Sequence, residues 1–378
     1  MSLEDQPIGT SAMTVSSSDL EALPTPFSLS CSQGISCAID LNVTSQGIMY
    51  FSEFPNKSQL LMEWKGGPRR ILLLAKQDPD IMPKVIDAVS YLHSKGLEVL
   101  VEENVFPQVA AGLNSNLNGK LGAFQPSKGR CGVDLIITFG GDGLLMYCNT
   151  LFDDSQAVPP IMSFDFGSLG FLAPFLYREF REQVDLAMKQ PVCITLRTRL
   201  ECQILRGTVC ESTHHVLNEV VIDRGMAPFL SVVDVSCNKE YLTTIQGDGV
   251  IVATPTGSTA YSLAAGGSMV HPNVPAILLT PVCAHTLSIR PMLLPETSEL
   301  QCSVPFDSRA SGWVSFDGRF RQELKRGDSI VVRKSLAPLP TVTKMNFTGD
   351  WMGSLQENFY FNKRKRQGRS QEGEEHMM

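Results

Sequence analysis

Asp142 is a lone carboxylate set among Gly140, Gly141 and Gly143. Glycines lack a Cβ, so backbone N–H groups beside them can converge on phosphate oxygens. A plain phosphate cradle has no use for a negative charge. Asp142 must therefore face a metal ion, a sugar hydroxyl or a hydroxyl about to lose its proton. The competing reading is a tight turn with a helix-capping Asp.

Two further stretches carry groups of the same kind. Gly167-Ser168-Leu169-Gly170-Phe171-Leu172 is a second glycine-bearing segment. Between Gly247 and Tyr261 lie Asp248, Thr254, Thr256, Ser258 and Thr259, hydroxyl donors suited to a sugar, base or phosphate. Taken alone that run would be a helix N-cap built from Ser and Thr. Three such turns in one chain, each after a strand, favour a nucleotide site. Lys76 adds a cation at the end of another apolar run. No His/Cys set has zinc spacing, and Cys210, His214 and His215 read as incidental.

The elements that must position these residues follow from periodicity. Leu135, Ile136 and Ile137 form a continuous apolar run, as in a strand buried on both faces. Leu144, Leu145, Tyr147, Cys148, Leu151 and Phe152 then have helical spacing. Upstream, Arg70–Ala75 and Leu97–Val101 read as strands flanking a helix over Ile81–Ser94, which Gly96 stops. Ala110–Cys131 is a polar connection. Ile161–Phe164 is a further strand, and a helix around Tyr177–Met188 closes this half. Alternating strands and helices predict a parallel, Rossmann-like α/β sheet with ligands at the carboxyl ends of its strands. From Val192 the period becomes two, and short strands recur to Ser329–Val332, which predicts an all-β domain. The expected organisation is a mostly disordered lead over 1–67, an α/β domain over 68–190, a β-rich domain over 191–340, and a C-terminal segment with a disordered charged tail over 341–378.

Composition excludes several function classes. A formal net charge of −7 argues against nucleic acid as the main partner, since phosphate-backbone binding needs a basic face. Residues 1–56 hold no Lys or Arg and six acidic residues, which suits neither a secretory signal nor a mitochondrial transit peptide. The apolar patch Gly47–Phe54 within that lead is a candidate docking segment. No apolar run reaches the length of a membrane span. Ten scattered cysteines without a C-x-x-C pair read as reduced thiols, and with them a cytoplasmic setting. The run Lys363-Arg364-Lys365-Arg366 reads as a solvated charge run.

Taken together, these motifs resemble the NAD kinase family over roughly Arg70 to Leu339. Gly-Gly-Asp-Gly alone is shared with diacylglycerol, sphingosine and phosphofructokinase relatives. The match becomes specific with Asn218-Glu219, the Gly247–Tyr261 run, and Ala264-Ala265-Gly266-Gly267 with His271-Pro272. His285 to Pro291 and Trp313 to Arg319 extend it. The resemblance implies transfer of the γ-phosphoryl of ATP to the 2′-hydroxyl of the adenosine ribose of NAD. It implies that Asp142 faces that hydroxyl, with Gly140, Gly141, Gly143 and Lys76 at the phosphates. Asn218 and Phe171 would contact the adenine region of NAD, and Glu219 and Asp248 the nicotinamide-side ribose. Thr259, Ala260 and Tyr261 would line an adenine pocket. Mg²⁺ is expected with ATP, held by substrate and water rather than by a protein cage. Asp248 would come from a neighbouring subunit, which implies a homo-oligomer, a tetramer by the same resemblance.

Two positions depart from the family pattern. Leu144 stands where Thr is usual, which removes a hydroxyl near the phosphates. Asp165 stands where Asn or His is common, which adds a negative charge near the substrate. The sequence thus predicts a working but slow NAD kinase. Its alternative is a weakened relative that binds pyridine nucleotide as a sensor or assembly subunit.

Overall fold

The structure is a computed structural model that describes residues 25, 27–31, 59–113, 120–125, 132–152, 158–167, 170–344 and 347–359. The strands of the first half are β1 (Phe27–Cys31), β2 (Gln59–Trp64), β3 (Arg70–Ala75), β4 (Glu98–Glu102), β5 (Leu121–Phe124), β6 (Leu135–Phe139), β7 (Ile161–Asp165), β8 (Phe175–Leu176) and β9 (Val192–Arg197). With β22 (Leu339–Val342) they build one sheet in the order β1-β2-β9-β22-β7-β6-β3-β4-β5, and β8 pairs with β7. From β22 to β5 the pairings are parallel. β9, β2 and β1 are added antiparallel. The sheet is therefore mixed, with the predicted parallel part running from β22 to the β5 edge.

Helices cover both faces, as a parallel sheet requires. Helix α1 (Met82–Ser94) has Pro83 in its first turn, where the missing N–H costs nothing. It buries Val85, Ala88, Val89 and Leu92, one face at helical spacing. α2 spans Phe106–Gly112, α3 Asp142–Cys148 and α4 Phe180–Lys189. One core layer joins α1 and α4 to Ile71, Leu73, Ile137 and Phe139. On the opposite face, Leu72, Leu74 and Ile136 pack with Leu145, Cys148 and Leu172.

The second half is antiparallel. Its strands are β10 (Leu200–Arg206), β11 (Val209–Val216), β12 (Glu219–Asp223), β13 (Ser231–Cys237), β14 (Glu240–Gly247), β15 (Gly249–Ala253), β16 (Ala276–Val282), β17 (Met292–Pro295), β18 (Leu300–Ser303), β19 (Gly312–Phe316), β20 (Arg319–Leu324) and β21 (Ser329–Lys334). They form two six-stranded sheets, β11-β10-β21-β18-β13-β14 and β17-β16-β15-β12-β19-β20. The core between them takes Leu200, Cys202 and Ile204 from one sheet and Val220, Ile222, Val250 and Val252 from the other. Each buried aliphatic side chain of this kind contributes about 1.5–3 kcal/mol before chain entropy is counted.

Several expectations are corrected. Within the lead expected to be mostly disordered, Phe27–Cys31 and Gln59–Trp64 are paired strands of the first sheet, and Gly47–Phe54 lies outside the described residues. The connection Ala110–Cys131 contains strand β5, which pairs in parallel with β4. The period-two run that opens at Val192 belongs to the first sheet as far as Arg197, since β9 pairs with β2 and β22. Alternation reports a half-buried strand but not which sheet receives it. The helix after Gly143 ends at Cys148 rather than Phe152. A helix, Phe347–Phe359, occupies part of the C-terminal segment, and the charged run from Lys363 lies outside the described residues.

Candidate active site

Strand β6 is buried along its whole length and delivers Gly140–Gly143 to the carboxyl edge of the parallel sheet. Asp142 opens α3, and its carboxylate is held from across the turn. Phe171 N–H donates to Oδ2 at 3.0 Å and Leu172 N–H to Oδ1 at 2.9 Å. Burial raises the Asp142 carboxyl above the usual carboxylate range, opposed by those two amides and by the charge of Arg197. Gly170 is there because nothing larger fits: a Cβ on it would lie 2.1 Å from Asp142 Oδ1. Gly143 is exposed, with open space where a Cβ would be. The turn thus carries a half-buried, oriented carboxylate at an open mouth.

Lys76 follows β3 beside this turn, its N–H bonded to the carbonyl of Phe139 at 3.1 Å. Its side chain is 69% exposed, with Nζ 3.9 Å from Asp78 Oδ2, so an exposed cation stands beside the turn. Asp165 ends β7, and its Oδ2 lies 3.0 Å from where a Cβ on Gly141 would be. Leu144 turns inward, packed against the core layer of Leu72 and Leu145. Its Cδ2 also lies 3.3 Å from where a Cβ on Gly140 would be, so it backs the turn.

The second half reaches this mouth through Leu217, which is buried in the same core layer as Leu172 and Cys148. Asn218 and Glu219 follow it. Their position is set by Asp317, whose carboxylate accepts the N–H groups of Leu217 at 2.8 Å, Asn218 at 2.8 Å and Glu219 at 3.1 Å. From the other side Thr254 Oγ1 donates to the carbonyl of Leu217 at 2.5 Å, and Thr254 N–H to that of Asn218 at 2.8 Å. Gly257 permits this approach, because a Cβ there would sit 2.2 Å from the Asn218 oxygen. Burial raises the Glu219 carboxyl to about 7, assisted by the charge of Asp317 and opposed by the N–H of Tyr261. Burial likewise lifts Asp317 to about 6, against its three amide donors.

The hydroxyl-rich turn offers fewer free donors than its sequence suggests. It is a single 3₁₀ turn, Thr256–Thr259, followed by a one-turn helix α5 (Tyr261–Ala264) that ends two residues before Gly266. Thr254 and Ser258 are fully buried and bonded within the protein. Thr254 Oγ1 also accepts from Gly257 N–H at 3.0 Å, and Ser258 Oγ bonds both the N–H and the carbonyl of Val270. These hydroxyls shape the turn rather than face a ligand. What the turn presents outward is Thr259, Ala260 and Tyr261, the last 44% exposed.

The fold thus ties these residues into two groups, Gly140–Gly143 with Lys76 and Phe171, and Asn218 and Glu219 with the turn that ends at Tyr261, and Leu217 packs in the layer that holds Leu172. It leaves Asp248 apart. Asp248 precedes β15, whereas Thr254 follows it, and the antiparallel register sets Asp223 opposite Gly249 and Glu219 opposite Ala253. At ~3.4 Å per residue, Asp248 is roughly 20 Å from the Thr254 end. There it pairs with Arg224 at 2.8 Å.

Residues not foreseen also contribute. Arg197, nearly buried, sits in the field of Asp142 and of Asp350, and burial lowers its guanidinium to about 10. Its signal was an arginine inside an apolar alternating strand. Asp317 and Gly318, with φ of 48° and 71°, make the tight turn between β19 and β20. Asp-Gly between two strand-like runs is a hairpin signal, but it says nothing of the three amides that the carboxylate holds. Among the described residues, no three His, Cys, Asp or Glu side chains gather as a metal-ion site, and no helix is long and apolar enough to cross a membrane.

The model for the ATP-NAD kinase N-terminal domain matches residues 75–192, and that for the C-terminal domain matches residues 217–344. NAD kinase 2, chloroplastic, of Arabidopsis thaliana is 42% identical over 339 residues, covering 88% of this chain and 34% of that protein. ATP-NADH kinase YEF1 of Saccharomyces cerevisiae is 45% identical over 249 residues, covering 62% of this chain and 50% of that protein. The chain thus spans only a third to a half of these curated relatives. Among solved structures, yeast NADH kinase complexed with NADH aligns with a TM-score of 0.76 at 31% identity, covering 85% of this chain and 95% of that one. Both halves match in order, and the same fold is found in a solved relative, so the chain belongs to the ATP-NAD kinase family.

Proposed function

We propose that this chain transfers the γ-phosphoryl of ATP to the 2′-hydroxyl of the adenosine ribose of NAD, giving NADP. The observation that carries the reading is Asp142, oriented by two amides at an open glycine turn and raised in pKa by burial. A raised carboxyl is a better proton acceptor at neutral pH than an ordinary Asp. In the reaction the ribose O2′–Pγ bond forms, the bond between Pγ and the β,γ-bridging oxygen breaks so that ADP leaves, and the hydroxyl proton passes to Asp142. The transition state is loose, so alignment does most of the work and a modest base suffices. Asn218 and Phe171 would meet the adenine region of NAD, Glu219 the nicotinamide-side ribose, and Thr259, Ala260 and Tyr261 would line an adenine pocket. Lys76 and the turn glycines would face the phosphates.

The residues present fit a magnesium ion that arrives with ATP. Asp165 supplies a carboxylate beside the turn, its Oδ1 held by Gly167 N–H at 3.1 Å. A hard cation ligated mainly by phosphate and water needs one or two such groups. Bound there, Mg²⁺ would neutralise charge on the donor phosphates.

The separation of Asp248 from Glu219 within one chain supports a homo-oligomer in which Asp248 completes a neighbour's site. The free thiols among the described cysteines support a reducing, cytoplasmic setting. Incubating the purified protein with ATP, Mg²⁺ and NAD and assaying NADP with a specific dehydrogenase tests the activity. No NADP above a no-enzyme control overturns it. Inactive Asp142→Asn and Asp248→Ala chains, reassembled together, should recover part of the activity, and a mixed assembly without recovery refutes the shared site.

A further inference from the structure

Helix α6 (Phe347–Phe359) lies beyond both family matches, the second of which ends at residue 344. It nevertheless touches both halves of the site. The hydroxyl of Ser354, 5% exposed, donates to the carbonyl of Gly170 at 3.0 Å. The ring of Phe359 lies against that of Phe171, centroid to centroid 5.2 Å. Trp351 meets His271 edge-on at 4.9 Å. Asp350 accepts from Lys344 N–H at 2.9 Å, so the first turn of the helix is tied to the chain leaving β22.

Gly170–Leu172 is therefore gripped from two sides. On one side its amides hold the Asp142 carboxylate. On the other, Ser354 holds the carbonyl of Gly170 and Phe359 covers the ring of Phe171. We propose that Ser354 and Phe359 are positioning residues, which act through Gly170–Leu172 to hold the Asp142 carboxylate in its reactive orientation. The inference rests on the role given to Asp142 above. A loosened segment lets the carboxylate wander, and an ångström of misplacement can cost up to about a hundredfold in rate. It also weakens two donors that favour the ionised form, so the Asp142 carboxyl rises further. The charged groups around it are Arg197 from β9, Asp165 from β7 and Lys76 from β3. Asp350 from α6 acts at one remove, through Arg197.

The test compares Ser354→Ala and Phe359→Ala with Ser354→Thr and Phe359→Leu in the full chain. Hydrogen exchange at the Phe171 and Leu172 amides reads the grip without any need for turnover. In both alanine variants it should quicken by about tenfold or more. kcat should fall by about tenfold, with KM for ATP within about twofold. The acid limb of kcat should move to higher pH, and the conservative variants should lie near wild type. A loss of folded fraction alone would lower kcat but leave the limb in place, and that result overturns the proposal. Unchanged exchange at both amides overturns it too. Ser354 is buried and Phe359 is 39% exposed, so the second variant stands if the first does not fold. Wild type that makes no NADP, with exchange still quickened in the variants, refutes the role of Asp142 and leaves the grip intact.

Discussion

Two turns in this molecule look alike in sequence and are used in opposite ways. Gly140–Gly143 and Thr254–Tyr261 each leave a strand buried along its full length. In the first turn the polar group that matters, Asp142, is oriented by a different segment, and the turn's open side is left clear at Gly143. In the second turn the hydroxyls of Thr254 and Ser258 are consumed by Leu217, Gly257 and Val270. The first turn leaves its carboxylate oriented and its glycine side open. The second is arranged to hold Asn218 and Glu219 in place and to present the outward face of Thr259–Tyr261. A count of donors in sequence would have ranked the second as the richer site; who already holds those donors decides otherwise.

Substitutions can break or sharpen this contrast. The largest effect is expected at Asp142→Asn, which keeps the shape but removes the charge. kcat should fall by ~10² or more with little change in NAD affinity, as steady-state kinetics and direct titration would read. A near-normal kcat would place the chemistry elsewhere.

Thr254→Val probes the second turn. It leaves the carbonyl of Leu217 and the N–H of Gly257 without their partner, a cost of about 1–3 kcal/mol. Urea titration should show that loss, while kcat of the folded enzyme stays within about threefold. A collapse of kcat at unchanged stability would mean that this hydroxyl meets substrate after all.

Glu219 links the two regions, and its pH behaviour follows from its raised carboxyl. With a folded value of about 7 against an ordinary value of 4.5, the folded state binds the proton more tightly than the unfolded state. Stability is then greatest at the acid end of that window and falls as pH rises from 4.5 towards 7. Glu219→Gln should flatten this fall, by on the order of 1–3 kcal/mol between pH 5 and pH 8. Denaturant midpoints at the two pH values measure it, and an identical slope in the variant counts against a raised Glu219.

The smallest effect is expected at Leu144→Thr. Leu144 packs against the core layer beneath α3, so the exchange removes apolar contact and should lower stability by about 1 kcal/mol. The side chain is committed to that packing and to the turn itself, its Cδ2 3.3 Å from where a Cβ on Gly140 would be. kcat should therefore rise by less than about tenfold, with the Kd for NAD within about twofold. A larger rise would show that the added hydroxyl reaches the phosphates.

Local pattern in the sequence was enough for the α/β first half, the antiparallel second half and the turns that carry Asp142 and Tyr261. Periods of two and 3.6 are written into each segment, and glycine marks where the backbone must turn or be approached. Pairing across long separations was not legible. β9 alternates like a strand of the second half yet joins the first sheet, because burial in a sheet depends on which neighbours arrive. The same reason hid Asp317 and helix α6. A carboxylate 98 to 100 residues from the amides it holds, or a serine 184 residues from the carbonyl it bonds, has no local signature. Only tertiary structure decides which polar groups meet. Once buried, such groups must find partners wherever the chain brings them.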